Sequence, residues 1–202
     1  MYDVSGLLPG TGAAEVRPGT SLLVTGASRR AEGLCLDLLA RAHGNGERML
    51  VITTGTSASD ITAGLRDRSE TFRPDHLAIV DTTAGAADVP GTAVETLGSS
   101  GDLTGISLET SKLVRGFGGE VPIRLGLVSV STLLMYVDLQ TVFRFLHVFN
   151  SRVNSGGWFG VFALDPKMHD TQAVSTVRAA FDAEVRVTDD GVAVQGEGLV
   201  EE

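Results

Sequence analysis

The segment Ser21-Leu22-Leu23-Val24-Thr25-Gly26-Ala27-Ser28-Arg29-Arg30-Ala31-Glu32-Gly33 decides how the rest of this chain is interpreted. Residues 21–25 form a compact apolar run, which is typical of a strand that is buried on both faces of a sheet. A glycine ends the run, and residues 31–42 then carry leucines at helical spacing. The segment therefore predicts a buried strand, a short glycine-containing loop and a helix.

The same alternation of apolar strands and helices continues along the chain. Alternating elements of this kind indicate an α/β fold, a three-layer α/β/α sandwich with a mostly parallel central sheet. Asp189-Asp190-Gly191 lies between two short apolar runs and predicts a C-terminal hairpin. The other predicted strands are residues 49–53, 76–80, 92–97, 123–130 and 158–164, and the other predicted helices are 58–66, 102–114, 138–153 and 171–181.

The chain of 202 residues is long enough for one domain with a substantial core. Residues 1–18 are rich in glycine and small side chains, and we interpret them as an N-terminal leader or docking segment. Residues 19–195 form the predicted domain. Residues 196–202 are interpreted as an acidic tail.

The strand, loop and helix of the first segment match the setting of a phosphate-binding P-loop, G-x-x-x-x-G-K-[ST]. Aligned on its first glycine, Gly26, this chain has Ala31 for the second glycine, Glu32 for the lysine and Gly33 for the hydroxyl residue. The lysine normally neutralises phosphate charge, whereas a carboxylate repels it. One unit-charge pair at about 4 Å and an effective dielectric near 20 is worth roughly 4 kcal/mol. We therefore expect this degenerate loop to bind no nucleotide or other cofactor.

Arg29 and Arg30 leave one alternative open within the same loop. Their guanidinium groups are suited to an anion, so they form an alternative anion site. They are also placed to pair with Glu32 and Asp37, or to face solvent, and the sequence does not choose among these arrangements.

Several stretches resemble KaiC-like ATPases of the RecA superfamily. Residues 17–26, Arg-Pro-Gly-Thr-Ser-Leu-Leu-Val-Thr-Gly, resemble the segment that precedes their P-loop. Residues 124–131, Arg-Leu-Gly-Leu-Val-Ser-Val-Ser, resemble the strand that carries their Walker B aspartate. Residues 100–106 and 134–147 are similar to an uncharacterised halophilic-archaeal branch. The resemblance spans about residues 17–187 and implies a RecA-like P-loop fold.

The resemblance also implies that catalytic groups are missing. The Walker B aspartate falls at Val128, and the acids that activate water fall near Gly55 and Thr56. Charge neutralisation, metal positioning and water activation supply most of the catalysis in phosphoryl transfer. We therefore expect a pseudo-ATPase that is not an enzyme and has no catalytic or metal-binding residues. RecA-like domains commonly pair edge to edge, which implies a protein partner or a homo-oligomer.

The composition limits the classes of partner. The net charge is −9 and the calculated pI is about 4.9, which disfavours broad nucleic-acid binding. Only two of the 16 basic residues are lysine, a usage that favours a salty cytoplasm or high-GC coding. The sequence has no signal peptide and no apolar run of membrane-spanning length, so we expect a cytoplasmic protein.

Four other features have a structural and a functional interpretation. Asp102 and Thr104 begin a helix, which favours capping over ligand contact. The segment Asp165-Pro166-Lys167-Met168-His169-Asp170 is a plain connection or a partner-sensing loop, and a metal site there is the weaker alternative. The lone Cys35 predicts buried packing. The helix 138–153 predicts burial against the sheet, or a self-association surface if Phe145 or Phe149 is exposed.

Three hypotheses of function follow. The leading one is a non-catalytic regulatory or scaffolding protein that keeps the ATPase shape for protein–protein contacts. The second is a nucleotide-binding protein or weak ATPase that uses Arg29 or Arg30. The third is a recombinase-like nucleic-acid-binding protein, which the charge balance disfavours.

Overall fold

Within residues 1–85 and 89–201, which the computed structural model describes, eight strands form a central sheet in the order β10-β9-β3-β8-β7-β4-β5-β6. Seven of them are parallel, and β10 pairs antiparallel with β9 as the predicted hairpin. The strands are β1 (Tyr2–Asp3), β2 (Ala13–Val16), β3 (Ser21–Gly26), β4 (Arg48–Thr53), β5 (Leu77–Asp81), β6 (Ala93–Thr96), β7 (Ile123–Val128), β8 (Phe159–Leu164), β9 (Ala183–Val187), β10 (Val192–Gly196) and β11 (Leu199–Glu201).

Helices cover both faces of the central sheet, so the predicted three-layer α/β/α architecture is confirmed. Successive side chains of β3 point to opposite faces, with Leu22 and Val24 on one side and Leu23 on the other. Helices α1 and α2 cover the first face, and α3 to α6 cover the second. The helices are α1 (Ser28–Ala40), α2 (Ala58–Asp67), α3 (Leu103–Gly116), α4 (Val130–Tyr136), α5 (Leu139–Ser155) and α6 (Thr171–Arg178).

The sequence analysis missed the short helix α4. It extended the preceding strand to residue 130, whereas β7 ends at Val128. Helix α4 has an N-cap residue, Ser129, whose side chain makes no capping hydrogen bond. Seven residues without a local cap give little helical signal, and the buried Val130 and Leu133 side chains attach the helix to the core.

The two chain ends meet in a second sheet of three strands, in the order β1-β2-β11. Residues 1–18, interpreted from sequence as a leader or docking segment, contribute β1 and β2 and bury Val4 and Val16 completely. Residues 199–201 of the segment interpreted as an acidic tail form β11, which pairs with β2, and Glu202 lies outside the described residues. These terminal segments pack on the same core cluster as α1 and α2.

A fully buried arginine joins the N-terminal segment to the central sheet. Arg124 lies on β7, and its Nε forms an ion pair with the buried Glu47 carboxylate. The remaining guanidinium nitrogens donate to Glu47 Oε1 at 3.2 Å, to the Leu38 carbonyl at 2.7 Å and to the Asp3 carbonyl at 2.9 Å. The guanidinium also lies 5.6 Å from the ring centre of Tyr2. One side chain thus connects β7, α1 and β1.

Tyr2 completes this connection. Its hydroxyl donates to the Gly157 carbonyl at 2.7 Å and accepts from the Ile123 N–H at 3.3 Å. Burial raises the pKa of Tyr2 to about 12, so the phenol is neutral at physiological pH.

We expect Arg124→Leu to destabilise the protein strongly, because it leaves the Glu47 carboxylate buried without its partner. Removing one member of a buried pair typically costs about 3–5 kcal/mol, which corresponds to a fall in Tm of roughly 10 °C for a chain of this size. Thermal unfolding followed by circular dichroism measures the change.

The matched control is Arg68→Gln, which breaks a half-exposed pair with Asp37 whose Nε–Oδ1 distance is 2.6 Å. We expect a cost of at most about 1 kcal/mol there. Equal losses in the two variants would contradict the role assigned to Arg124. The double variant Arg124→Leu/Glu47→Leu should recover part of the loss, since no charge is then left unpaired.

Candidate functional site

Helix α1 begins three residues earlier than the sequence indicated. It starts at Ser28, so only Ala27 separates it from β3, and residues 28–33 are helical where the alignment predicted a loop. The N–H groups of Arg30 and Ala31 both donate to the Ala27 carbonyl, at 2.7 and 3.1 Å. A P-loop wraps phosphates with free backbone N–H groups, and these two are already used within the chain.

A carboxylate of the chain itself occupies the N-terminus of α1. Asp165, the residue after β8, accepts hydrogen bonds at Oδ2 from the Ser28 N–H at 2.8 Å and from the Ser28 hydroxyl at 2.7 Å. Its Oδ1 accepts from the Lys167 N–H at 2.9 Å, and its own N–H donates to the Ser131 hydroxyl at 2.9 Å. A helix N-terminus attracts negative charge, and here Asp165 supplies it.

The environment of Asp165 keeps it ionised. Burial alone would raise the pKa of this carboxyl, but the hydrogen bonds from Ser28 and Lys167 outweigh burial and lower it below the usual value. Asp165 is therefore an anion at neutral pH, held against the positive end of α1.

Glu32 adds a second carboxyl to the same region. It is partly buried on α1, and burial together with the charge of Asp165 raises its pKa. The raised pKa means that ionised Glu32 is disfavoured in the folded state. The two carboxyls make the start of α1 unfavourable for a further anion.

The two arginines of the alternative anion site, Arg29 and Arg30, make different contacts. Arg30 forms an ion pair with Asp189 in the β9–β10 turn. Arg29 is exposed and makes no ion pair with any other residue that the structure describes. Neither side chain pairs with Glu32 or Asp37, the partners considered from the sequence.

The two glycines of the aligned pattern have different surroundings. A Cβ on Gly26 would lie 2.6 Å from the Val187 carbonyl oxygen, so the close approach of β9 requires a glycine there. Gly33 lies within α1 with open space around its Cα.

The positions aligned with catalytic acids lie at the same edge of the sheet. Val128 ends β7 and is buried. Gly55 and the nearby Thr54 line a cavity of about 340 Å³ beyond the ends of β4 and β5. Thr54 donates its hydroxyl to the Ser129 carbonyl at 2.9 Å and accepts the Ser129 N–H at 2.7 Å, so this hydroxyl ties the two strand ends together.

The other residues that the sequence analysis singled out cap a helix or pack in the core. Asp102 Oδ1 accepts the Gly105 N–H at 2.8 Å, which is a helix cap. Cys35 is buried with its Sγ 3.7 Å from the Val161 carbonyl oxygen, and burial raises the pKa of its thiol. Phe149 is buried and packs edge-on against Phe162, while Phe145 is half-buried.

The loop from Asp165 to Asp170 caps two helices. Asp165 caps α1 and Asp170 caps α6, where it accepts the Ala173 N–H at 2.7 Å. His169 is half-buried, and burial lowers the pKa of its imidazole. Among the side chains that the structure describes, no three His, Cys, Asp or Glu groups lie together as metal ligands.

Sequence reasoning missed the role of Asp165 and the charged cluster on β9. Asp165 was named as part of a segment interpreted as a plain connection, a partner-sensing loop or, more weakly, a metal site, and its contact with α1 was not foreseen, although the residues directly after a strand lie at the carboxyl edge where sites form. Glu184 and Arg186 were assigned to a hairpin strand, yet Glu184 is buried and is paired with Arg178 and Arg186. The alternation of polar and apolar residues along β9 does not indicate that Glu184 is buried in ion pairs.

No helix in the described part of the chain has the length and apolar character needed to cross a bilayer.

Comparisons with known proteins support the fold. A KaiC-like protein of Pyrococcus horikoshii OT3, PH0186, matches with a TM-score of 0.64 and 12% identity over 99% of this chain and 91% of that one. A second P. horikoshii OT3 protein, PH0250, matches with a TM-score of 0.61 and 13% identity over 90% of this chain and 88% of that one. The fold is therefore KaiC- and RecA-like, as the sequence predicted.

Sequence comparison gives the family. No curated protein sequence matches the chain. A family model described as "Family of unknown function (DUF7504)" matches residues 19–187. Because that match covers most of the chain, the protein belongs to the DUF7504 family.

Proposed function

We propose that this protein is a non-catalytic member of the KaiC/RecA-like fold with degenerate Walker motifs, which acts in regulation or scaffolding through protein–protein contacts. The observation that carries the proposal is the Asp165 carboxylate hydrogen-bonded to Ser28 at the N-terminus of α1. An internal anion fills the position where a P-loop protein holds phosphate.

The charges at this end of the sheet support the proposal. A triphosphate at the start of α1 would have to displace Asp165 from Ser28 and lie beside Glu32. A like-charge pair at about 4 Å costs roughly 4 kcal/mol at an effective dielectric near 20. The single connecting residue Ala27 also leaves too little backbone to wrap a polyphosphate.

The aligned catalytic positions support the same interpretation. The Val128 side chain has no oxygen to hold a magnesium-bound water, and Gly55 has no side chain to activate one. Phosphoryl transfer depends on positioned metal ions and a positioned nucleophile. ATP hydrolysis therefore has little basis in these residues.

Exposed apolar side chains favour a role in protein contacts. Met135 and Tyr136 end helix α4 with exposed fractions of 66% and 65%. Tyr136 also lines the cavity that contains Thr54 and Gly55. Exposed Met and Tyr beside a polar cavity are typical of interface residues, since aromatic residues and Met are enriched at protein–protein contacts.

We expect titration of the protein with ATP and Mg²⁺ to give no micromolar binding by calorimetry, because Asp165 and Glu32 repel phosphate at α1. Micromolar binding that perturbs the Ser28 amide in NMR spectra would contradict the proposal. If Arg29→Gln/Arg30→Gln then abolished the binding, the alternative of a nucleotide held by loop arginines would replace it.

Two substitutions at α1 should change stability in opposite directions. Asp165→Ala removes the partner of the Ser28 N–H and should cost about 1 kcal/mol, or roughly 2–4 °C in Tm at pH 7. Glu32→Gln should raise Tm at pH 7 by about 1–2 °C after allowance for solvent screening, because the ionised form of Glu32 is disfavoured in the folded state.

The pH dependence separates the two effects. The pKa of Asp165 is lowered in the folded state, so its contribution is present above the unfolded value near 3.9 and is lost as pH falls through the folded pKa. The pKa of Glu32 is raised, so the gain from Glu32→Gln should disappear once pH falls below about 4.3. Thermal unfolding between pH 3 and pH 8 measures both, and shifts of the same sign at pH 7 would contradict the assignment.

We expect the protein to capture a partner through the exposed end of α4. Affinity capture from the source cells, at their own salt concentration, should recover a protein that the variant Met135→Ser/Tyr136→Ser loses. Arg29→Gln, exposed on α1, is the control that should retain it. Recovery of no protein, or equal recovery by the α4 variant, would contradict the scaffolding role.

A further inference from the structure

Helices α3 and α5 lie side by side on the second face of the sheet. Both run from the carboxyl edge of the sheet back to its amino edge, because each one precedes a parallel strand, β7 or β8. Arg152 Nη1 of α5 donates to the Ser111 hydroxyl of α3 at 3.4 Å, so these two positions are level along the helices. Leu108, one turn before Ser111, and Val148, one turn before Arg152, are therefore neighbours across the groove between the helices.

The side chains of Leu108 and Val148 are exposed, with exposed fractions of 53% and 56%. The other large apolar side chains of these two helices are buried or half-buried against the sheet. A single exposed leucine or valine is ordinary on a protein surface. Two of them on facing sides of one groove form an apolar patch.

Basic side chains flank this patch at helical spacing. They lie four residues before and after Val148 on α5, and four and seven residues after Leu108 on α3. All four are exposed. The patch and its basic neighbours make up what we call the α3–α5 face, which consists of Leu108, Lys112, Arg115, Arg144, Val148 and Arg152.

The α3–α5 face is positive in a chain whose net charge is −9. Helix α5 contains two arginines and no carboxylate, and the one carboxylate of α3, Glu109, is buried and accepts from Lys112 at 2.8 Å. The carboxylates at the starts of both helices are used as N-caps. Arg115, Arg144 and Arg152 make no ion pair with any residue that the structure describes. The face therefore carries three positive charges without a paired carboxylate.

The groove ends in a cavity of about 610 Å³ at the amino edge of the sheet. Val114 near the end of α3 and Ser155 at the end of α5 both line it, so the cavity continues the line of the groove. Pro122 and the half-buried Trp158 supply apolar surface. Glu120 is the one acidic residue among the described residues that line the cavity. This end of the groove is thus suited to an apolar side chain rather than to a carboxylate.

We propose that the α3–α5 face binds an acidic amphipathic helix of another protein, about 16 residues long. Helix α5 has 17 residues, which gives the groove a length of about 25 Å at 1.5 Å per residue. The apolar side of the partner helix contacts Leu108 and Val148 and places one large apolar residue in the cavity, as in other helix-in-groove complexes. Carboxylates beside that apolar side pair with the unpaired arginines. This inference rests on the proposed role in protein–protein contacts and names the chemistry of the partner.

The combination of apolar and basic side chains favours this partner over two others. A nucleic acid is held by cationic surface along its phosphates, whereas here two exposed apolar residues separate the basic ones. Two copies of this chain that met through this face would bring like charges together. An acidic helix satisfies both the apolar patch and the charges.

The probe is a fluorescein-labelled 16-residue peptide of glutamate and alanine, with leucines and one tryptophan along one helical side. Fluorescence anisotropy with the full chain at low ionic strength should give a Kd on the order of 10–100 μM. A peptide of the same composition in scrambled order should bind at least tenfold more weakly, and a peptide with lysine in place of glutamate should not bind. Added salt should weaken the binding, because exposed charge pairs are screened.

Two double variants assign the contacts. Leu108→Ser/Val148→Ser should weaken binding of the acidic peptide at least tenfold, since it removes the apolar patch. Arg144→Gln/Arg152→Gln should weaken it about three- to tenfold and remove most of the salt dependence. Arg29→Gln, exposed on α1, is the control that should bind the peptide normally. The substituted side chains are all exposed, so each variant should keep its fold, and thermal unfolding checks this.

The inference is overturned if the acidic peptide does not bind at 1 mM, if the scrambled peptide binds equally well, or if both double variants bind as the unchanged chain does. Tighter binding of a 16-base-pair DNA duplex that Arg144→Gln/Arg152→Gln loses would replace the helix by a nucleic acid. A concentration-dependent dimer in analytical ultracentrifugation that Leu108→Ser/Val148→Ser loses would replace it by a second copy.

Failure of this inference is distinguishable from failure of the proposed function. If the peptide does not bind but a partner is still captured through Met135 and Tyr136, only the α3–α5 face loses its role. Micromolar ATP binding that perturbs Ser28 contradicts the proposed function whatever the peptide does.

Discussion

The buried guanidinium of Arg124 is the interaction that makes the chain ends part of the domain. A charge with no exposed surface is stable only when every donor has a partner, and Arg124 meets this condition through Glu47, Leu38 and Asp3. Those partners come from β1, from α1 and from the residue just before β4. The N-terminal residues are therefore part of the core on the first face of the sheet, and β11 completes the small sheet that they begin.

The opposite edge of the sheet, where the parallel strands end, holds the candidate functional site. Binding sites of open α/β sheets lie at this edge, and here the edge is divided between two environments. At the start of α1, the Asp165 carboxylate accepts the Ser28 N–H, and its charge raises the pKa of Glu32. Across β3, the buried Glu184 carboxylate pairs with Arg178 and Arg186.

This arrangement differs from the one found in a nucleotide hydrolase. An ATPase concentrates positive charge and free N–H groups at the start of the helix after its first strand. In this chain the N–H of Ser28 donates a hydrogen bond to Asp165, and Arg178 and Arg186 pair with Glu184 on the other side of β3.

The sequence by itself determined the layers, the parallel sheet and the terminal hairpin, because continuous apolar strands and helical spacing are local patterns that report which faces are buried. It also aligned Glu32 with the lysine of a P-loop, an alignment that stays a prediction. Only the tertiary structure decided that α1 begins at Ser28, since the capping carboxylate comes from 137 residues away and Ala27 offers no local cap. The burial of Arg124 and the pairing of Glu184 were likewise decided by side chains distant in sequence, which periodicity cannot report.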